Sequence, residues 1–266
     1  MYYDYHIHTG FSSDGRMELR QACAAAIAKD VVEIAVTDHL DIDYPDSSIE
    51  FDLDYTLYSD AIDRARESFG NKISIIKGIE IGVQPHVIKE CVDYLEDKDF
   101  QFIIASVHAV KKMDLHNGEF CANRTKKETY FEYLQEVYRC VDGFSRFNVL
   151  GHIDLIRRYG DYRDRSLRYP DYSDILDEIF RLLISTGRGL EINTSGFRYN
   201  LSSTMPDFDL IKRYRELGGE ILTIGSDAHT PSQVAERFPQ ALDIARSAGF
   251  RYISRFSDGN PEFVKI

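Results

Sequence analysis

Residues 220–229 read Glu-Ile-Leu-Thr-Ile-Gly-Ser-Asp-Ala-His, a short apolar run closed by a carboxylate and an imidazole two residues apart. Six earlier apolar runs likewise carry a polar, metal-competent or hydrogen-bonding residue near the C-terminal end: YYDYHIH (2–8), VVEIAVTDH (31–39), ISIIKGIEI (73–81), FIIASVH (102–108), FNVLGHI (147–153) and RGLEINT (188–194). Between them lie longer segments with helical spacing, such as MELRQACAAAIAKD (17–30) and YTLYSDAIDRARESFG (55–70). Gly70, Gly187, Gly218 and Gly249 stand where such helices would stop, the usual place for a residue that tolerates positive φ, and Pro206 and Pro231 stand near helix starts. Strands alternating with helices predict a parallel sheet with right-handed crossovers. An open sheet would gather its polar residues at one switch point, whereas here every run carries one near its C-terminal end. A barrel collects such residues on one face. The pattern therefore predicts a distorted, TIM-like (β/α)7 barrel, with residues 1–266 forming one domain.

Three long segments leave that face: LDIDYPDSSIEFD (40–52), AVKKMDLHNGEFCANRTKK (109–127) and LIRRYGDYRDRSLRYP (155–170). Long loops on one end of a barrel build a pocket. The formal charge of −12 disfavours a nucleic-acid polymer as partner, because phosphate backbones need a basic face. It leaves room for a small phosphate ester, since bound cations reverse the sign locally. No run is long enough to span a membrane, and MYYDYHIHTGF lacks the basic start and apolar stretch of a signal peptide, so the expected location is the cytoplasm. Cys23, Cys91, Cys121 and Cys140 are widely spaced without a C-x-x-C pair, which reads as plain core or surface positions. Oligomeric state is open at this level.

His6 and His8 lie two apart in a strand and project to one side, offering two imidazole ligands to one space. His39, Glu80, His108, His152, Asp227 and His229 close five of the six other runs, so six of the eight histidines fall at strand ends. The remaining two, His86 at a helix start and His116 in a loop, read as ordinary surface residues, and His116→Ala is expected to change little. Asp14, in Phe-Ser-Ser-Asp-Gly, is either a ninth ligand or the N-cap of the helix that follows. Asp38 should point away from His39 on a continuing strand and suits a hydrogen bond to a ligating histidine. One catalytic ion uses three or four protein ligands, so nine candidates around a central carboxylate suggest two or three divalent ions with Glu80 bridging a pair. Asp14, Glu80 and Asp227 offset only half the charge of three such ions. The residual field suits a phosphate dianion and moves the pKa of a bridging water towards neutrality, so that a bridging hydroxide serves as nucleophile in hydrolysis.

These motifs, Asp4-Tyr5-His6-Ile7-His8-Thr9, Thr37-Asp38-His39, Gly78-Ile79-Glu80, Ser106-Val107-His108, Gly151-His152 and Ser226-Asp227-Ala228-His229, resemble the polymerase and histidinol phosphatase (PHP) superfamily, and within it the monofunctional histidinol-phosphate phosphatases. The resemblance spans the chain. It implies a trinuclear site: one ion on His6, His8, Glu80 and Asp227, a second on Glu80, His108 and His152, and a third on His39, His229 and Asp14. Many members carry histidine at the last position, so the metal stays open among zinc, iron and manganese. It also implies hydrolysis of L-histidinol phosphate in histidine biosynthesis, with Glu80, Asp227 and His229 at the reacting centre. Arg157, Arg158 and Arg198 are candidates to clamp the phosphate, and Asp41, Asp43 or Asp161 to meet the amino and imidazole groups. The rivals are a phosphatase or phosphodiesterase for a nucleotide or phosphotyrosine peptide, an amidohydrolase, and a non-catalytic metal-stabilised module.

Overall fold

A computed structural model describes all 266 residues. The first half of the chain runs β1 (Tyr2–Ile7), α1 (Leu19–Ala28), β2 (Val31–Val36), β3 (His39–Asp41), α2 (Tyr55–Phe69), β4 (Ser74–Gly82), α3 (Ile88–Leu95), β5 (Phe102–Ser106), and the short pair β6 (Ala109–Val110) and β7 (Met113–Asp114). It continues through α4 (Lys126–Gly143), β8 (Val149–Leu150), α5 (Ser173–Ser185), β9 (Gly189–Asn193), α6 (Phe208–Glu216), β10 (Leu222–Gly225), α7 (Phe238–Ser247), β11 (Tyr252–Ser257) and β12 (Asn260–Lys265). The main sheet follows the order β1-β2-β4-β5-β8-β9-β10, all parallel, with β3 continuing the second strand beside β4. Its two edges meet: the Asp227 N–H donates to the His6 carbonyl at 2.8 Å and the His8 N–H to Ala228 at 2.9 Å. The carboxylate of Asp4 latches the same seam, accepting from the Ser226 N–H at 2.9 Å and its hydroxyl at 2.6 Å. This is the distorted (β/α)7 barrel that the strand-end pattern predicts.

Ile76, Gly78 and Glu80 lie on one face of β4, and Phe102, Ile104 and Ser106 on one face of β5. Ser106 donates to Glu80 at 2.6 Å, so this face looks into the barrel. Below that contact Tyr5, Ala35, Ile76, Phe102, Ile104, Val149 and Phe256 pack as one interior cluster. A larger apolar layer of 61 residues lies outside the sheet and includes Ile34, Val36, Ile79 and Ile81 facing the helices. A register shift between Asp4 and Ile7 lets β1 turn Tyr5 inward and still aim His6 and His8 at the same interior.

The hairpin β11–β12 has no counterpart in the sequence reading. It brings Phe256 under the barrel, 4.9 Å from the Phe102 ring, while the Phe256 N–H donates to the Tyr5 hydroxyl at 2.7 Å. Two helix-end readings also need correction. Gly187, Gly218 and Gly249 do have positive φ, but Gly70 is right-handed at φ −62° and ends its helix without a left-handed cap. Pro206 precedes the Asp207 cap of α6, whereas Pro231 lies in a turn well before α7. All four cysteines are free and buried, and no helix is long and apolar enough to cross a membrane.

Candidate active site

Glu80 lies at the C-terminal end of β4 with 1% of its surface exposed. Its Oε2 is 3.1 Å from His6 Nε2, 3.1 Å from His39 Nδ1 and 3.4 Å from His8 Nε2. Its Oε1 is 3.0 Å from His152 Nε2 and 3.3 Å from His108 Nε2. One carboxylate thus faces five imidazoles, divided between its two oxygens. His6 Nε2, His8 Nε2, His39 Nδ1 and Glu80 Oε2 are all buried, yet none makes a hydrogen bond. Buried polar atoms are normally paired. Donor atoms that converge at this distance without bonding one another share a point in space, which is the arrangement a divalent cation requires. The donor set fits.

The structure brings together all nine residues expected at strand ends and in the first loop. His6, His8 and Glu80 form one group of converging atoms, with Asp227 Oδ1 3.4 Å from His8 Nε2 and 4.0 Å from His6 Nε2. Glu80, His108 and His152 form a second. His39 and His229 group with His8, and Asp14 Oδ2 closes on them at 3.0 Å from His229 Nε2 and 3.8 Å from His39 Nε2. Asp14 is not a helix cap: α1 starts at Leu19, capped by Glu18 in a reciprocal box with Gln21.

Partners behind the imidazoles fix which nitrogen faces inward. His108 Nδ1 meets Asp41 at 2.7 Å and His6 Nδ1 meets Glu191 at 2.6 Å, leaving each Nε2 aimed at Glu80. Asp41, a candidate for the substrate's amine, is therefore committed to holding a histidine. Glu191 went unnoticed in sequence, although a glutamate inside the apolar run RGLEINT was the available signal. Two glycines make room for these carboxylates. A Cβ at Gly82 would stand 1.8 Å from Asp41 Oδ1, and one at Gly225 would stand 2.3 Å from Glu191 Oε1 and 2.4 Å from the Cβ of His6. Asp38 bonds no histidine side chain. It accepts from the Thr9 N–H and hydroxyl and from Ser12, pinning the turn after β1.

Charge in the cluster is balanced by protons when cations are absent. Burial opposes charge on His39, but Glu80, Asp41 and Asp14 outweigh it and raise its pKa to about 9. Burial, with His229 and His39 alongside, pushes His8 down to about 3. Burial opposes ionisation of Glu80 as well, yet the imidazoles around it hold it well below the usual carboxylate range. Cation uptake near neutral pH therefore displaces protons from the histidines.

Above the cluster opens a cavity of about 470 Å³. All three long loops reach it, through Tyr44 and Phe51, through Asp114 and His116, and through Arg158 and Tyr159. His116 is exposed, but it sits on this wall 6.0 Å from the Tyr159 ring. His116 is thus a wall residue as well as a surface one, its imidazole bordering the space a ligand would fill. His86 stays on the surface, paired with Asp43 at 2.7 Å. That pairing, with Lys112 at 3.2 Å, also takes Asp43 out of consideration, and the exposed Asp161 does not line the cavity.

The three arginines separate. Arg158 lines the cavity, stacked 4.1 Å over Tyr199, bonded to Ser195 and held 2.6 Å from Asp227 Oδ2. Arg157 points the other way, to Asp154 at 2.7 Å, the Ser203 hydroxyl at 2.8 Å and the Thr204 carbonyl at 3.2 Å, with 3% of its side chain exposed. Arg157→Ala is expected to lower unfolding free energy by about 3–5 kcal/mol, because Asp154 would stay buried and unpaired. Urea denaturation measures this, and a loss under about 1 kcal/mol would place the pair among weak surface bridges. Arg198 is also outside the cavity and reaches the Ser226 and Asp227 carbonyls. Arg16, overlooked in sequence, stands on the cavity wall with its backbone N–H on the His229 carbonyl at 2.9 Å. Asp227 itself is left-handed at φ 53°, a conformation that costs an L-residue about 1–2 kcal/mol.

Barrel and donor set together define a metal-dependent hydrolase of the (β/α)7 type. The chain belongs to the PHP domain family, whose family model matches residues 4–195. It is 33% identical over 267 residues to the histidinol-phosphatase of Lactococcus lactis subsp. lactis, with 98% of both chains covered. A Clostridium acetobutylicum relative, likewise named for histidinol phosphatase, is 32% identical, with 94% of this chain and 95% of that one covered. A crystal structure of the L. lactis histidinol phosphate phosphatase, complexed with zinc, L-histidinol and phosphate, superposes with a TM-score of 0.90 at 32% identity, covering 98% of each chain. A Listeria monocytogenes structure shares the fold, with a TM-score of 0.74 at 17% identity, covering 90% of this chain and 99% of that one.

Proposed function

We propose that this protein is a divalent-metal-dependent phosphomonoesterase that hydrolyses L-histidinol phosphate to L-histidinol and phosphate. The observation that carries the reading is the convergence of five imidazoles on the two oxygens of Glu80, with the three nitrogens that face Oε2 unbonded, at the floor of a cavity. His6, His8, Glu80 and Asp227 would hold one ion, Glu80, His108 and His152 a second, and His39, His229 and Asp14 a third, with zinc, manganese or iron suited to this nitrogen and oxygen set. When bound, such ions supply Lewis acidity to the phosphoryl oxygens and a water nucleophile available near neutral pH.

The protein's own groups bind and orient. Arg158 and Arg16 present guanidinium forks to the phosphate, which matches them in bidentate fashion. Phe51, Tyr159 and Tyr199 offer flat apolar surfaces to an imidazole ring, and the exposed carboxylate of Glu50 on the same wall suits an ammonium group. The 33% identity to an L. lactis histidinol-phosphatase along the whole chain supports this substrate over other esters. Phosphate release from L-histidinol phosphate should exceed that from AMP and p-nitrophenyl phosphate by at least a hundredfold in kcat/KM, about 2.7 kcal/mol of discrimination. Comparable rates on all three would retain the chemistry and discard the substrate.

A further inference from the structure

Asp227 and His229 lie two residues apart on the left-handed turn that follows β10, and one carbonyl ties them together. The Asp227 oxygen lies 2.7 Å from Arg198 Nη2 and 3.0 Å from His229 Nδ1. A carbonyl only accepts, so Nδ1 of His229 donates to it, which turns Nε2 to the inner side, 3.0 Å from Asp14 Oδ2, as the nitrogen that would meet a cation shared with that carboxylate. The same Nη2 donates to the Ser226 carbonyl at 2.8 Å, while Nη1 is braced by Glu236 at 3.1 Å. Arg198 itself follows the short turn Thr194–Phe197 after β9, so it clasps the end of the neighbouring strand from outside the cavity. Asp227 has no glycine to ease its positive φ, and the turn is held by this clasp and by the Asp227 N–H on the His6 carbonyl.

We propose that Arg198 is a positioning residue of the metal site. Its guanidinium bridges two consecutive carbonyls, fixes the strained turn, and thereby sets both the Asp227 carboxylate and the His229 tautomer for cation binding. The inference rests on reading Asp227 and His229 as ligands. It assigns Arg198 an effect on cation affinity, where a phosphate-clamping arginine would act on anion affinity.

Calorimetric titration of metal-stripped protein with manganese tests it, followed by titration of the manganese-saturated protein with inorganic phosphate. In Arg198→Ala the ions that depend on Asp227 and His229 should bind roughly 10–100-fold more weakly, the range for removing a partner behind a ligand. Phosphate affinity at saturating manganese should match wild type, and millimolar guanidinium should restore part of the lost cation affinity. Arg198→Lys keeps the charge beside Glu236 and protects the fold, yet one ammonium lacks the planar fork, so it should give an intermediate loss. Wild-type manganese affinity in both variants would overturn the proposal, as would lost phosphate affinity with manganese binding intact. Wild-type protein that takes up no manganese would instead remove the ligand reading beneath it.

Discussion

Glu80→Gln is expected to lower kcat for histidinol phosphate about a thousandfold or more while leaving the barrel folded. The substitution keeps the shape and removes the charge. The Glu80 oxygens face His6, His8 and His39 on one side and His108 and His152 on the other, so an amide would turn N–H donors towards nitrogens that must offer lone pairs to a cation. Losing the carboxylate that would bridge two ions would disable both positions together, and several kcal/mol of transition-state stabilisation at about 1.4 kcal/mol per tenfold gives that factor. Ser106 still has an oxygen or nitrogen to meet, and the interior cluster of Tyr5, Phe102 and Phe256 lies below the change. Circular dichroism should therefore be unchanged. Wild-type turnover in this variant would be incompatible with the site.

Arg158→Ala should reduce kcat/KM roughly 10²–10³-fold, the usual result of removing one preorganised donor from a developing anion. The side chain is 9% exposed, anchored by Asp227 and packed on Tyr199, so it meets a ligand with little loss of freedom. Arg158→Lys should recover only part of this, because an ammonium keeps the charge but neither the fork nor the flat face over Tyr199. The contrast with Arg157 is the check. Adjacent residues on one short turn, Leu155–Arg158, should give a stability defect in one case and a catalytic defect in the other. If Arg158→Ala leaves kcat/KM within threefold of wild type, the guanidinium is not on the phosphate.

The fold was legible because each barrel strand announces itself twice, by an apolar run and by a polar residue near its end, metal-competent in all but the sixth, which ends in Asn193. Glu80 and the six strand-end histidines converge for that reason, since parallel strands deliver their C-terminal ends to one face. Side-chain partners were less legible. Arg157, Arg158 and Arg198 have the same chemistry in sequence, and only the tertiary approach of Asp154, Asp227 and the 226–227 carbonyls separates them. His116 looked like a loop histidine because nothing local reveals that its loop folds back over the barrel mouth. The β11–β12 hairpin escaped notice because its strands alternate weakly and its role, plugging the barrel with Phe256, is a long-range contact with Tyr5. The cap reading of Asp14 fails because the helix starts only at Leu19, behind Glu18.

The account is tested most directly by adding manganese or zinc stepwise to the metal-stripped protein and following bound ions and histidinol phosphate hydrolysis in the same samples. Activity should be absent in chelator and rise only as a second and third ion per chain are taken up, because Glu80 links the positions. Turnover at full rate in metal-free protein, or a plateau reached with a single ion, would contradict it.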